Sequence, residues 1–487
     1  MHILLVSSEV VPFAKTGGLA DVAGALPRAL ASLGVEVTVA LPRYRSIDGA
    51  RFGLRKVLDG VRVPVGDRQE TLAVFEAPVP GGRALLLGHE GFFGREGLYQ
   101  EKGQDYPDNA ERFTAFARGL LEVVRALRLA PDLLHCNDWQ TGLIPPYLKT
   151  LYAGDPVLGK AATLFTIHNL GYQGLFPAEK FRVTGLPWEL FHWQGLEFWG
   201  KVNFLKGGLV HADCLSTVSR RYSQEIQTPE FGAGLEGVLR ERAADLYGIL
   251  NGVDTEEWNP ATNKHLAAHY SHADLSGKAA CKADLQRAMD LPVRPEVPVL
   301  GVISRLADQK GIDLVAASAE ALLAEETQLV LLGTGDPKLE AAFTALRQKQ
   351  PSGAGVRIGF DVALSHKIEA GADLFLMPSR YEPCGLNQMY SLLYGTIPVV
   401  RATGGLDDTV TPFDPKTGRG NGFKFAEATA VALLAAVREA LACYRNRPLW
   451  HRLVQNAMAA DFSWTRSARE YVEVYRRAIA KRRGEGT

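Results

Sequence analysis

The sequence contains little cysteine, and the cysteines that it has are scattered. Five occur among 487 residues, an odd number with no C-x-x-C pair. This distribution disfavours both a disulfide framework and a zinc site, and it is typical of a reducing compartment. We therefore predict a cytoplasmic protein.

An excess of charge is also absent, because Lys plus Arg and Asp plus Glu both number 54. Nothing in the bulk charge attracts a polyanion such as DNA, or an anionic membrane. No apolar run approaches the ~20 residues of a membrane span, and residues 1–6 lack the basic leader of a signal peptide. The sequence predicts neither a nucleic-acid partner nor a membrane partner.

Several cofactor motifs are missing as well. There is no G-x-x-x-x-G-K-[ST] loop, and no G-x-G-x-x-G fingerprint follows an apolar strand-like run, which disfavours phosphoryl transfer and dinucleotide redox chemistry. There is also no D-x-D, no H-E-x-x-H and no EF-hand loop. We expect no metal site and no cofactor.

Short apolar runs alternate with stretches of helical periodicity along the chain. Ile3–Val6 is such a run, and Leu19–Leu33 then carries apolar residues at helical spacing. Val299–Ile303 restarts the same order of strand, loop and helix. The pattern is typical of α/β folds and predicts two doubly wound, mostly parallel sheets.

The length of 487 residues favours two or three domains. A turn-rich passage begins at Asn251, so we predict one Rossmann-like domain over residues 1–247 and a second over residues 248–461. Residues 462–487 predict a terminal helix, with Ser463 as its N-cap, that packs on another part of the chain.

Two loops combine glycine with cationic side chains. Lys15-Thr16-Gly17-Gly18 follows the first apolar run, and Ser304–Gly311, which carries Arg305 and Lys310, follows a later one. A strand that ends in a Gly-rich turn before a helix presents unpaired backbone N–H groups to an anion. The loops predict one phosphorylated ligand, with Arg305 and Lys310 sharing the charge of a diphosphate; the alternative is a set of solvated surface cations.

Further candidates follow other predicted strands of the first half. Asp138-Trp139 pairs a carboxylate with an aromatic ring suited to sugars, although a buried Trp under a capping Asp is equally ordinary. His168 ends a strand with Asn169 beside it. Its alternative role is that of a core histidine donating to a backbone carbonyl.

In the second half, Glu382 precedes a helix start, where a carboxylate would face a cleft. Its alternative role is to complement the helix dipole. Gly385-Leu386 opens a predicted helix at Asn387, whose first amides could bind the outer phosphate. Cys384 is interpreted as a packing residue rather than as a reactive thiol.

Seven strings of residues closely resemble those of bacterial glycogen synthases and plastid starch synthases. They occur in the family's order and span nearly the whole chain. The strings are Lys15–Val22, Asp138-Trp139, Thr166–Gly174, Asn251–Asp254, Ser304–Gly311, Ser379–Leu386 and Thr403–Leu406.

The resemblance implies a GT-B fold, in which two Rossmann-like doubly wound domains face each other across a deep cleft and the C-terminal helix crosses back to the N-terminal domain. It also implies a retaining glucosyltransferase that acts without a metal. The implied donor is ADP-glucose, and the implied acceptor is the non-reducing 4-hydroxyl of an α-1,4-glucan such as glycogen or a malto-oligosaccharide.

The resemblance also implies roles for individual residues. Lys15, Gly17 and Gly18 contact the donor, and Arg305 and Lys310 bind its diphosphate. His168, Glu382 and Asp138 complete the predicted catalytic set. The resemblance places Asn251 near the donor phosphates, Phe360 against adenine, and Tyr99 and Trp139 on the acceptor side. The other predicted substrate-binding residues are Asp21, Asn169, Cys384, Gly385 and Leu386.

One position departs from related sugar-nucleotide transferases that carry E-x₇-E. Eight residues after Glu382 this chain has Tyr390, so the ribose contact of the second glutamate does not carry over. Three other functions remain open from the sequence. They are a transferase of the same fold with a sugar-phosphate acceptor, a glucan-binding protein without transferase activity, and a sugar-nucleotide epimerase.

Overall fold

A computed structural model describes residues 1–485 of the chain, which form two compact units. The first unit comprises Met1–Val218, Ser223–Gly252 and the chain from Trp464 onward. The second unit comprises Ser219–Tyr222 and Val253–Ser463. The predicted domain boundaries lie a few residues earlier in the chain, and the last two residues of the predicted terminal helix segment lie outside the described residues.

The first unit contains fourteen strands among the described residues. They are β1 (His2–Val6), β2 (Glu36–Pro42), β3 (Arg55–Val65), β4 (Arg68–Val79), β5 (Gly82–Gly88), β6 (Gln100–Glu101), β7 (Gln104–Asp105), β8 (Leu133–Asn137), β9 (Ala162–Ile167), β10 (Leu175–Pro177), β11 (Glu197–Phe198), β12 (Lys201–Asn203), β13 (Cys214–Thr217) and β14 (Leu246–Gly248).

Eight α-helices belong to this part of the chain. They are α1 (Gly18–Ser32), α2 (Glu90–Phe93), α3 (Asn109–Ala126), α4 (Ile144–Lys149), α5 (Phe181–Thr184), α6 (Phe204–His211), α7 (Arg220–Glu225), whose first residues cluster with the second unit, and α8 (Glu236–Glu241). The main sheet has the strand order β14-β13-β9-β8-β1-β2-β5-β4-β3. Strands β14 to β5 in this order are parallel, and the hairpin of β3 and β4 adds an antiparallel edge.

Among the described residues, the second unit has six strands and eight α-helices of its own. They are α9 (Ser276–Ala288), β15 (Val299–Leu306), α10 (Ile312–Ala324), β16 (Gln328–Gly335), α11 (Pro337–Lys349), β17 (Ala354–Ile358), α12 (Val362–Gly371), β18 (Leu374–Met377), α13 (Asn387–Leu393), β19 (Ile397–Arg401), α14 (Gly404–Thr409), β20 (Phe423–Phe425), α15 (Ala430–Arg445) and α16 (Arg447–Met458).

The six strands form one parallel sheet in the order β17-β16-β15-β18-β19-β20. This is the order of a doubly wound Rossmann sheet, which runs outward in both directions from its first strand. Apolar clusters cover both faces, as expected for a parallel sheet whose strands are buried on both sides. The prediction of two doubly wound sheets is confirmed.

The last helix, α17 (Trp464–Arg483), belongs to the first unit. It packs on α1 and on strands β8, β9 and β13. The buried ring of His135 contacts the Tyr475 hydroxyl at 2.9 Å from Nδ1 and the Thr166 hydroxyl at 2.7 Å from Nε2. A side chain in the middle of the sheet therefore anchors the helix. No helix within residues 1–485 is long and apolar enough to cross a bilayer.

Candidate active site

Each main sheet has one point where the strand order reverses, and several of the predicted site residues follow the strands that border these two points. In the first unit, β1 lies between β2 and β8. In the second unit, β15 lies between β16 and β18. Because chain connections leave such a strand pair in opposite directions, a crevice opens at the carboxyl ends of the two strands. Ligands of open α/β sheets bind in that crevice.

In the first unit, two amides of the Gly-rich loop after β1 already have an acceptor, which corrects the prediction of unpaired amides at these two positions. The Thr16 amide donates to Oε2 of Glu9, and the Gly17 amide donates to the same atom at 3.1 Å. The Thr16 hydroxyl donates to Oε1 at 2.6 Å. Glu9 therefore satisfies the amides of Thr16 and Gly17 from within the protein, and these two amides are not free to bind an anion.

Glu9 is a site residue that the sequence reasoning missed. Its side chain is 4% exposed and lies just beyond the carboxyl end of β1. The Tyr99 hydroxyl also donates to its Oε1, at 2.7 Å, and contacts the Ser8 hydroxyl at the same distance. A carboxylate shortly after a buried strand was the available signal, but its donors lie seven to ninety residues away.

Lys15 and Asp21 form an exposed ion pair beside this loop, with Nζ 2.7 Å from Oδ1. The Lys15 side chain is 55% exposed. Burial raises the pKa of Asp21, and the ammonium of Lys15 opposes that rise. Both charged groups stay at the surface, within reach of a ligand.

Asp138 holds the backbone that follows β9. Its Oδ1 accepts the His168 amide at 2.7 Å, and the Asn169 amide also bonds to the carboxylate. Burial raises the pKa of Asp138 to about 7, although the two amides lower it. Asp138 has φ of 55°, in the left-handed region that non-glycine residues seldom adopt. Strain of this kind concentrates at functional sites.

His168 is fixed by its neighbours and is uncharged at neutral pH. Its Nε2 lies 2.8 Å from Oδ1 of Asn137, so Nε2 carries the proton of the neutral ring. Burial lowers the pKa of His168 to about 3. The ring is therefore suited to hydrogen bonding rather than to supplying positive charge.

Trp139 is buried, which corrects its predicted role as a ring that stacks on sugars. Its indole packs edge-on against Phe113 and Phe176 at centroid distances of 4.8 and 5.8 Å. Gly174 lies so close that an added Cβ would come within 2.4 Å of the indole. The alternative interpretation, a buried tryptophan beside Asp138, describes the structure.

The centre of the second unit's site is an ion pair between Lys310 and Glu382. Nζ of Lys310 lies 2.9 Å from Oε1 and 2.6 Å from Oε2 of Glu382. The Ser379 hydroxyl donates to Oε2 at 2.9 Å. The Glu382 side chain is 7% exposed, whereas that of Lys310 is 20% exposed. The ammonium therefore lies between a buried carboxylate and solvent.

Arg305 belongs to strand β15 and not to the following loop, which corrects the prediction that Arg305 and Lys310 share one loop. Lys310 ends a short 3-10 helix, Asp308–Lys310. The exposed guanidinium of Arg305 donates to Oε1 of Gln309 at 3.3 Å. Both cations still lie at the carboxyl end of β15, at the switch point of the sheet.

Two glycine-containing loops pack against each other beside Glu382. The Gly405 amide donates to the carbonyls of Glu382 and Pro383, both at 3.1 Å. A Cβ on Gly404, which has φ of 45°, would lie 2.0 Å from the Glu382 carbonyl oxygen. Gly385 also adopts a positive φ, of 70°. The backbone around Glu382 therefore tolerates no side chain at Gly404.

The remaining predicted residues of the second unit follow strands β17 and β18. Helix α13 begins at Asn387 as predicted, with Leu386 as its N-cap. Cys384 is 5% exposed, in agreement with the packing interpretation. Phe360 is 89% exposed, so its ring face is open to a ligand.

Asn251 is 6% exposed, and its Oδ1 has no hydrogen-bond partner among the described residues. The string Gly232–Gly237 has G-x-G-x-x-G spacing. It follows α7 rather than a strand, so it is not a dinucleotide-binding fingerprint.

Comparison with known proteins agrees with this geometry. A family model described as the starch synthase catalytic domain matches residues 2–241, and one described as glycosyl transferases group 1 matches residues 289–459. Glycogen synthase of Anaeromyxobacter dehalogenans (strain 2CP-1 / ATCC BAA-258) is 55% identical over 479 residues, which cover 98% of this chain and 99% of that protein. Glycogen synthase 1 of Geobacter sulfurreducens is 49% identical over 490 residues, covering 100% and 98%.

A solved structure is similar over the same length. The catalytic domain of starch synthase IV from Arabidopsis thaliana, bound to ADP and acarbose, has a TM-score of 0.90 and 34% sequence identity, covering 98% of this chain and 99% of that chain. The two doubly wound sheets and the cationic switch point thus define a glycosyltransferase of the GT-B class. The chain belongs to the glycogen and starch synthase family.

Proposed function

We propose that this enzyme transfers a glucosyl group from ADP-glucose to the non-reducing 4-hydroxyl of an α-1,4-glucan, with retention at the anomeric carbon. The proposal depends above all on one observation, the placement of Arg305, Lys310 and Glu382 at the switch point of the second sheet. It is supported by relatives named glycogen synthase and by a structural neighbour that was bound to ADP.

The leaving group of this reaction is a nucleoside diphosphate, and its negative charge grows as the bond to the sugar breaks. Arg305 presents a planar guanidinium, and Lys310 presents a compact ammonium whose position is fixed by Glu382. Positioned cations stabilise developing charge without having to reorganise during the reaction. In our proposal they take the place of a metal ion, and no cofactor takes part.

The bond from the anomeric carbon to the phosphate oxygen breaks first, and the sugar gains oxocarbenium character. The acceptor 4-hydroxyl then attacks the same face, the new glycosidic bond forms, and the hydroxyl proton passes to the leaving phosphate oxygen. Bonds and charges balance without a covalent enzyme intermediate. ADP and a glucan longer by one residue are the products.

Two predicted catalytic residues of the first unit, His168 and Asp138, are linked to each other by a hydrogen bond. Because Nε2 of the neutral His168 ring donates to Asn137, Nδ1 is left to accept a hydrogen bond from a sugar hydroxyl. Asp138 holds the His168 backbone in place. We assign both residues positioning and electrostatic roles.

Incorporation of labelled glucose from ADP-glucose into glycogen tests the proposal, with UDP-glucose assayed in parallel. We expect ADP release in proportion to incorporation, and α-linked product in the proton NMR spectrum. Donor conversion without glucan would indicate an epimerase instead. Transfer to a sugar phosphate but not to glucan would indicate the other transferase, and glucan binding without any ADP release would indicate a binding protein.

A further inference from the structure

Glu9 connects several predicted substrate-binding groups of the first unit through one buried carboxylate. It accepts hydrogen bonds from the Thr16 amide, the Thr16 hydroxyl, the Gly17 amide and the Tyr99 hydroxyl. We propose that Glu9 is a positioning residue that holds the Lys15–Gly18 segment in the conformation that binds the donor. This inference rests on the proposed function, because it concerns the same reaction.

The start of helix α1 explains why a distant carboxylate is needed here. Gly17 is the N-cap of α1 and has no side chain that could cap the helix. The amides at the start of a helix lack partners within the helix. Glu9 accepts the amide of the N-cap Gly17 and that of Thr16 just before it, and its negative charge also complements the helix dipole.

The chain around the glycines is otherwise weakly held. Lys15, Thr16 and Gly18 are exposed, and an added Cβ on Gly17 would find no heavy atom within 4 Å. The contacts with Glu9 therefore fix the backbone of residues 16–17 on the side that faces the protein interior. The outer side of the segment, including the ammonium of Lys15, remains open to a ligand.

Glu9 also links this segment to other predicted groups. Tyr99 donates to it at 2.7 Å. Asp138, which holds the backbone of His168, has its pKa raised mainly by burial, and the charge of Glu9 adds to that rise. A substitution of Glu9 should therefore affect the loops after both β1 and β8, the two strands that border the switch point.

The chain offers a matched control at the opposite edge of the same sheet. Asp213 is 5% exposed and accepts the Thr163 amide at 2.8 Å and the Thr163 hydroxyl at 2.9 Å. Glu9 makes the same pair of contacts with Thr16. Asp213 directly precedes β13, however, whereas Glu9 follows β1. Asp213 also pairs with Lys149, and Glu9 also accepts from Gly17 and Tyr99, so the control matches Glu9 in its burial and in its two contacts with a threonine.

The test compares Glu9→Gln with Asp213→Asn. Glutamine removes the negative charge and keeps only one of the two acceptor oxygens, so either the two amides at Oε2 or the two hydroxyls at Oε1 lose their acceptor. We therefore expect the KM for ADP-glucose to rise at least about tenfold, with a smaller change in the KM for glycogen. Asp213→Asn should lower the unfolding temperature comparably and leave both KM values within about twofold of wild type. The Kd of ADP, measured by calorimetry, gives the same comparison without turnover.

Two results would overturn the proposal. One is a Glu9→Gln protein whose KM for ADP-glucose and Kd for ADP match those of wild type. The other is an equal loss in Asp213→Asn, which would mean a general loss of stability. If Glu9→Gln does not fold, Thr16→Val and Thr163→Val replace the pair, and unchanged donor binding in Thr16→Val contradicts the proposal. A wild-type enzyme that binds ADP but transfers no glucose would refute the proposed function instead.

Discussion

Nζ of Lys310 donates to both carboxylate oxygens of Glu382, at 2.9 and 2.6 Å, across 72 residues of sequence. The contact exists because β15 and β18 are neighbours in the sheet although two further strands separate them along the chain. A flexible lysine side chain is thereby held in one direction, at the point where the sheet can bind a ligand. Predictions for both units follow from this arrangement.

We predict that Lys310→Ala and Arg305→Ala mainly reduce turnover. Removal of one group that stabilises developing charge costs about 100-fold to 1,000-fold in kcat, whereas the KM for the donor should change less. Steady-state kinetics with ADP-glucose and glycogen measure both constants. Lys349→Ala is the control, because Lys349 pairs with Glu320 on the exposed surface of the same unit. Turnover like that of wild type in both Arg305→Ala and Lys310→Ala would exclude the assigned role.

Phe360→Ala should weaken donor binding without weakening the fold. The ring is 89% exposed, so its removal costs little stability, while loss of stacking on a base costs about 1–3 kcal/mol. We expect the KM for ADP-glucose to rise roughly tenfold, and Phe360→Tyr to retain most of the affinity. Val431→Ala removes another exposed apolar side chain, 80% exposed, from the same unit. The adenine assignment is wrong if the two alanine variants bind ADP-glucose equally well.

Gly17→Ala and Gly404→Ala should have different effects. We expect the first to affect donor binding and the second to affect stability. Gly17 has an extended backbone with φ of −148° and open space around it, so its alanine variant should unfold at the wild-type temperature. Gly404→Ala would place a Cβ 2.0 Å from the Glu382 carbonyl at a positive φ, which costs at least about 1–2 kcal/mol of stability.

The kinetic result decides the role of Gly17. If the donor approaches this glycine, the added methyl group raises the KM for ADP-glucose while circular dichroism melting stays unchanged. A Gly17→Ala enzyme with normal kinetics would show that no substrate comes near its Cα. For Gly404, a melting temperature equal to that of wild type would contradict the described packing of the loop on Glu382.

The buried His135 should make the first unit sensitive to acid. Burial lowers the pKa of His135 from 6.5 to about 3, so between these values the unfolded chain binds a proton that the folded chain does not. The stability that this group contributes is complete above pH 6.5 and falls as the pH drops towards about 3, by about 1.4 kcal/mol per pH unit. Asp138, with its pKa raised to about 7, contributes a change of opposite sign.

His135→Gln isolates the contribution of the histidine. We expect the variant to be less stable at neutral pH and to lose stability less steeply than wild type between pH 6 and pH 4, by about one proton. Denaturation followed by tryptophan fluorescence at several pH values measures this slope. Equal slopes in the two proteins would mean that the folded state protonates His135 as readily as the unfolded chain does.

The elements of the fold were largely predictable because local signals agreed with each other. The apolar run Ile3–Val6 predicted a strand, and the structure has β1 at His2–Val6. The start of α13 at Asn387 followed from the preceding glycine and leucine. Arg305 was predicted to lie in a loop because the apolar run ends before it, but the strand continues to Leu306.

The candidate site was predictable only in part. Lys310 and Glu382 were predicted as site residues from their positions after strands, but the ion pair between them was not predicted. Glu9 was overlooked because no local sequence signal predicts that Thr16 and Tyr99 hydrogen-bond to it. Trp139 was misinterpreted because only the tertiary structure brings Gly174 against its ring.

By itself, the sequence determined the alternation of strands and helices, the two Gly-rich cationic segments and the family to which the chain belongs. These depend on periodicity and on the order of residues along the chain. The tertiary structure alone decided that the first loop's amides bind Glu9, that Trp139 is buried, and that Lys310 pairs with Glu382. Such contacts depend on which strands are neighbours in a sheet, and the burial and charge of a side chain are set by those neighbours rather than by its sequence position.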